Sequence, residues 1–183
     1  MTAYGTSRLA IPVSERDHIL GPATAPVTLV EYGDYECPYC GMAYPVVEAL
    51  REQLGSRLRF VYRHFPLMQM HPHALPAAEA AEAAGAQRKF WEIHGTLSTH
   101  QQALDDDSLL EYATALGLET TQFARALATH AYEGRVREDF AGGVRGGVNG
   151  TPAFFINSLR YDGPRDFDSF LAVLEEVAEA PRP

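Results

Sequence analysis

The chain moves between two rhythms of apolar and polar positions. Val27-Thr28-Leu29-Val30-Glu31-Tyr32 is a nearly unbroken apolar run, rich in β-branched residues, with proline before it and Gly33-Asp34 after it. Such a run predicts a buried strand, interrupted only by the carboxylate of Glu31. From Pro38 to Leu54 the spacing becomes helical: Ala43, Val46, Val47, Leu50 and Leu54 share a face, and Gly55 stops the run. Pro45 lies inside that segment and predicts a bend, because it removes a backbone donor and crowds the preceding turn. Leu58 to Phe65 alternates as a second strand and Pro66 ends it. Strand, helix, strand in this order is a βαβ unit.

The texture then changes. From Ala74 to about Gly147 the chain is rich in alanine, leucine and charged residues and shows no strand pattern. Asp107-Ser108 ahead of Leu109, Leu110, Tyr112, Ala113 and Leu116 predicts a capped helix ending at Gly117, Thr120-Thr121 opens another, and His130 to Gly143 predicts a further one. Strand character returns at Ala153–Ile156, Asn157-Ser158 predicts a hairpin turn into Leu159–Tyr161, and Phe167–Val177 closes the chain as an amphipathic helix. Residues 1–26 have no clear periodicity. The expected class is α/β: an N-terminal arm at 1–26, a core built from 27–71 and 148–180, and an all-helical insertion at 72–147.

Composition adds exclusions. With 46% hydrophobic and 21% charged residues among 183, the chain reads as ordinary globular protein. A net charge of −9, from 24 acidic against 15 basic residues, argues against a nucleic-acid partner. No apolar run approaches the roughly 20 residues of a membrane span. Met1 to Leu20 holds no leader-type apolar region, since its longest apolar stretch, Leu9–Val13, contains a proline. That sets the expectation of a cytoplasmic protein, in a compartment where thiols are kept reduced.

Only two cysteines are present, Cys37 and Cys40. A structural disulfide across so short a loop would constrain the unfolded chain very little. Cys37-Pro38-Tyr39-Cys40 instead stands where the first strand hands over to the first helix. Cys37 falls near the N-cap, with Pro38 at the first helical position, where a missing N–H costs nothing. The positive end of the helix favours thiolate over thiol, which makes Cys37 the nucleophile. Cys40, one turn further in, is placed to resolve a mixed disulfide. Three alternatives stay open beside this one: a zinc site completed by His71 and His73, an inert buried pair, and a redox-silent binding module.

The strand–CPYC–helix start, the later Gly150-Thr151-Pro152 ahead of a strand, and the long helical block between them resemble the DsbA-like branch of the thioredoxin superfamily. The resemblance covers roughly residues 27 to 177. It implies a thioredoxin fold (βαβ–ββα) with the helical block as its insertion, and dithiol–disulfide exchange as the activity. It implies further that Thr151-Pro152 is a cis bond lining a substrate groove, where Thr151 offers backbone hydrogen bonds to an extended peptide. Pro38 and Tyr39 are the other expected substrate contacts. Glu31, six residues before Cys37, holds the position at which the family carries an acidic proton carrier for the second cysteine; the alternative is a carboxylate at the strand end facing solvent. The implied partners are protein or peptide thiols and disulfides, and glutathione. No metal, nucleotide or flavin cofactor is implied. A glutathione-dependent isomerase or transferase on the same scaffold is the rival enzyme, against which the second cysteine counts.

The dipeptide between the cysteines departs from the strongly oxidising relatives, which carry Pro-His. Tyr39 cannot become cationic, so a weaker hold on the Cys37 thiolate is expected, with a potential less oxidising than about −120 mV. Elsewhere, Gly142-Gly143 and Gly146-Gly147 read as a helix C-terminus and Phe90 with Trp91 as helix packing. His64 either packs or tunes a thiolate. Met68 and Met70, beside Phe65 and Leu67, form either an apolar lip or core.

Overall fold

The computed structural model describes residues 4–180. The elements are β1 (Tyr4–Arg8), β2 (His18–Leu20), β3 (Val27–Gly33), α1 (Pro38–Leu54), β4 (Leu58–His64), α2 (Ala74–Gly85), α3 (Phe90–Thr99), α4 (Asp106–Ala115), α5 (Thr120–Ala128), α6 (Glu133–Arg145), β5 (Ala153–Ile156), β6 (Leu159–Tyr161) and α7 (Phe167–Glu179). The strands form one open, mixed sheet in the order β1-β6-β5-β3-β4-β2. The α/β class, the βαβ–ββα core and the helical insertion expected from the sequence are all present. The chain divides into two compact units, one comprising the residues up to Tyr32, Met42–Arg63 and those from Gly142 on, the other Gly33–Gly41 with His64–Ala141.

In the first unit, β3 and β5 are buried almost throughout, which is why their sequences read as apolar runs rather than as alternation. They pair antiparallel, with Glu31 opposite Phe154 and Tyr32 opposite Ala153. Asn157 and Ser158 carry φ of 45° and 72°, the left-handed pair that a two-residue hairpin turn needs between β5 and β6. Phe170 of α7 stacks on Tyr161 at 4.6 Å and meets Phe154 edge-on at 5.2 Å, closing the core over that hairpin. α1 runs from Pro38 to Leu54 with Pro45 inside it.

The segment without periodicity supplies two strands that the sequence pattern does not show. β1 pairs with β6 and β2 with β4, so they cover the two edges of the sheet. Between them the chain is held by a buried ion pair. Arg63 of β4 donates from Nε to Asp17 Oδ1 at 2.7 Å and from Nη2 to Asp17 Oδ2 at 3.0 Å. It also donates to the carbonyls of Ile11 and Pro12 and to Tyr32 Oη. α6 ends at Gly146 and Gly147, the latter at φ +80°, so these glycines do stop a helix. Gly142 lies inside α6, where an added Cβ would come within 3.2 Å of Ile11.

In the second unit the alanine-rich α2 is the central helix, with nine buried residues from Ala74 to Ala84. Its small side chains let Ile93, Leu97, Leu109 and Phe123 of the neighbouring helices pack to complete burial. Two helix starts differ from expectation. α4 is capped by Asp105, whose carboxylate accepts the Ser108 N–H at 3.1 Å, rather than by Asp107. α5 is capped by Glu119, which accepts the amides of Thr121 and Gln122. In each case several acceptors compete near the boundary, and the tertiary position of the helix decides among them.

Candidate active site

The loop from Gly33 to Gly41 carries the two cysteines, and its geometry follows from one residue. Asp34 is buried, and its carboxylate accepts the Glu36 N–H at Oδ1 and the Leu67 N–H at Oδ2, both at 2.8 Å. Its carbonyl accepts the Cys37 N–H at 3.1 Å. The chain thus turns tightly after β3 and enters α1 at Pro38. The Cys37 carbonyl then accepts the amides of Cys40 at 3.0 Å and Gly41 at 3.2 Å, which makes Cys37 the N-cap of the helix.

Cys37 and Cys40 are 4% and 8% exposed, while Tyr39 between them is 66% exposed. The Asp34 N–H donates to Cys40 Sγ at 3.4 Å, a contact that strengthens when the sulfur is a thiolate. The pair stands at the start of α1 near disulfide distance, the placement of a CxxC redox site in DsbA-like oxidoreductases.

Two further side chains frame this turn. Gln101, between α3 and α4, donates its amide to the carbonyls of Tyr35 at 2.8 Å and Cys37 at 2.7 Å. Tyr35 is buried, with its hydroxyl 3.0 Å from His94 Nδ1. Neither Gln101 nor Asp34 was marked by the sequence pattern. Gly33-Asp34 reads only as a turn, and Gln101 carries no local signal because its partners lie more than sixty residues away.

His71 and His73, the histidines of the zinc alternative, are each held by a carboxylate of the same loop. His71 Nδ1 is 2.8 Å from Asp34 Oδ2, and His73 Nδ1 is 3.0 Å from Glu36 Oε1. Burial would lower the pKa of His71. The hydrogen bond to Asp34 and the charges of Asp34, Cys37 and Glu36 outweigh it and hold His71 above its ordinary value. His64 packs: it is buried, with Nε2 2.9 Å from Glu82 Oε1 and its ring against Tyr35 and Phe90. Phe90 is buried and meets Trp91 edge-on, as helix packing requires. Met68 and Met70 are exposed rather than core, while Phe65 stacks on Phe140.

The remaining candidates lie in the first unit. The Thr151-Pro152 bond is cis, as the resemblance implies, and leads directly into β5. Glu31 is 4% exposed, which excludes the alternative of a carboxylate facing solvent.

Among the described residues no helix is long and apolar enough to cross a membrane. A domain at 45% identity, aligned over 96% of this chain, occurs in the Na(+)/H(+) antiporter NhaA 3 of Salinispora tropica, and one at 46% over 93% in NhaA 1 of Salinispora arenicola. The chain spans only about a quarter of those proteins, 27% and 26% of their lengths. Of solved structures, BdbD from Bacillus subtilis superposes with a TM-score of 0.83 at 20% identity, over 96% of this chain and all of that one. A thioredoxin-like oxidoreductase from Silicibacter pomeroyi superposes with a TM-score of 0.80 at 27% identity, over 92% of this chain and 95% of the other.

These matches correct the expected compartment. The DsbA-type structures that the chain resembles are extracytoplasmic oxidoreductases, so the cytoplasmic expectation does not stand. It rested on a missing leader, which decides nothing in a chain covering about a quarter of its curated relatives. A thioredoxin family model matches from residue 13 to residue 176, which takes in the cysteine turn, the helical insertion and the cis-proline strand alike; the chain belongs to the thioredoxin family, on a fold shared with DsbA-like thiol–disulfide oxidoreductases.

Proposed function

We propose that this chain catalyses dithiol–disulfide exchange through Cys37 and Cys40 on protein or peptide substrates, with glutathione as a small-thiol partner. The observation that carries the reading is the position of both cysteines in the first turn of α1, with Cys37 as N-cap. The 27%-identical structure described as a thioredoxin-like oxidoreductase supports it.

In the reducing direction the Cys37 thiolate attacks one sulfur of a substrate disulfide, forming a mixed disulfide and expelling the other sulfur as thiolate. The Cys40 thiolate then attacks the Cys37 sulfur and expels the second substrate thiolate. The substrate gains two electrons and the Cys37–Cys40 disulfide forms; oxidation of a dithiol substrate is the same path reversed. In this reading the Asp34 amide steadies the negative Cys40 sulfur and buried Glu31 is the carrier for its proton. Thr151 and Pro152 hold the substrate backbone, and Pro38 with exposed Tyr39 flank the attacked sulfur. The zinc reading is weakened because, among the described residues, the ligand atoms of Cys37, Cys40, His71 and His73 do not converge as a metal site requires.

The test is trapping. Cys40→Ser should accumulate a mixed disulfide on Cys37 with a disulfide-bonded peptide or oxidised glutathione, detected by mass, whereas Cys37→Ser should form none. Equal turnover by Cys40→Ser and wild type would favour the isomerase. Stoichiometric retained zinc with thiols blocked from alkylation would refute the redox reading.

A further inference from the structure

Tyr39 leaves the dipeptide between the cysteines without a titratable nitrogen, yet the imidazole of His71 reaches the loop from another part of the chain. Asp34 is the hub. Its N–H reaches Cys40 Sγ at 3.4 Å and its carbonyl binds the Cys37 N–H at 3.1 Å. Its side chain, 0% exposed, holds His71 Nδ1 at 2.8 Å, with the His71 side chain 15% exposed. A buried carboxylate in such close company with the cysteines would by itself oppose a thiolate, since like charges in a poorly solvated setting repel. An imidazolium on that carboxylate cancels its charge.

We infer that His71, anchored on Asp34, is the charge partner of the Cys37 sulfur. This inference rests on the redox reading above. The groups acting on His71 are Asp34 and, more weakly, Cys37 and Glu36, all favouring its charged form; Glu36 is itself engaged by the N–H and Nδ1 of His73. The coupling is reciprocal: what His71 does for the thiolate, the thiolate does for His71. The two groups therefore titrate as a pair, and loss of the His71 proton leaves the Asp34 charge unscreened.

Two measurements test it. In His71→Asn the thiolate absorbance of Cys37, followed against pH, should shift upward by about one unit, and alkylation at pH 6 should slow roughly tenfold, as expected for removal of a nearby opposite charge. Curves superimposable on wild type would overturn the inference. The second measurement needs no variant: an NMR titration of His71 in the wild-type protein, reduced and then oxidised. The His71 midpoint should be higher in the reduced form, where Cys37 can carry charge; equal midpoints would overturn the inference even if His71→Asn failed to fold. A wild type that exchanges disulfides while His71 stays indifferent defeats only this inference. A wild type that forms no mixed disulfide defeats the redox reading and this one together.

Discussion

Gln101 donates its side-chain amide to the Cys37 carbonyl at 2.7 Å, although the two lie 64 positions apart in sequence. That approach depends on Gly41, where an added Cβ would fall 2.1 Å from Gln101 Oε1. Gly41→Ala should therefore evict the Gln101 amide from the loop. Gln101→Ala should cost about 1–2 kcal/mol for two lost hydrogen bonds. Gly41→Ala should cost less than that, because alanine regains up to about 1 kcal/mol of helix propensity. The double variant should be no worse than Gln101→Ala, the mark of one shared interaction. Chemical denaturation of the four proteins checks this; additive losses would show that Gly41 and Gln101 act separately.

Arg63 and Asp17 are 3% and 4% exposed at their side chains and form a two-point ion pair. Burial opposes the charge on Arg63, but Asp17 and Tyr32 outweigh it and raise its pKa further above an already high value. Removing one partner strands the other charge in the interior. Asp17→Asn or Arg63→Met should each destabilise by about 3–5 kcal/mol, and replacing both together by apolar residues should cost less than either. Thermal or urea unfolding of the three variants decides the matter.

His71 titrates above its ordinary value in the folded chain. A raised histidine stabilises the fold fully below the unfolded value, and the contribution disappears as pH rises through the folded one. The gap in unfolding free energy between wild type and His71→Gln should be largest near pH 6 and should shrink across neutrality. A gap independent of pH would mean that His71 acts by packing alone.

Glu79 of α2 is 1% exposed, and His130 Nδ1 lies 3.1 Å from its Oε2. Burial raises its pKa, and the contact with His130 offsets only part of that. The folded state thus holds the Glu79 proton more tightly than the unfolded state, so ionising this group weakens the fold as pH rises through the interval between the two values. Glu79→Gln should gain stability relative to wild type on going from about pH 4 to pH 7. A constant offset between the two across that range would contradict the assignment.

The interior strands and helix α1 were legible because burial leaves a direct imprint: β3, β5 and Leu50, Leu54 of α1 are apolar where the core covers them. β1 and β2 were not legible. Edge strands of five and three residues owe their conformation to the neighbour they pair with, so Tyr4–Arg8 and His18–Leu20 show no alternation of their own. The cysteine pair was visible at once, whereas Asp34 looked like turn punctuation and His71 like a possible metal ligand.

The local sequence determined the interior strands, the helical stretches and the Cys-x-x-Cys pair, because periodicity and motif spacing are set by neighbours within a few residues. The tertiary structure alone decided the edge strands, the helix caps and the electrostatic setting of that cysteine pair. Asp34, His71 and Gln101 meet around it from segments far apart in the chain, and a charge or hydrogen bond acts through space, at distances that sequence separation does not encode.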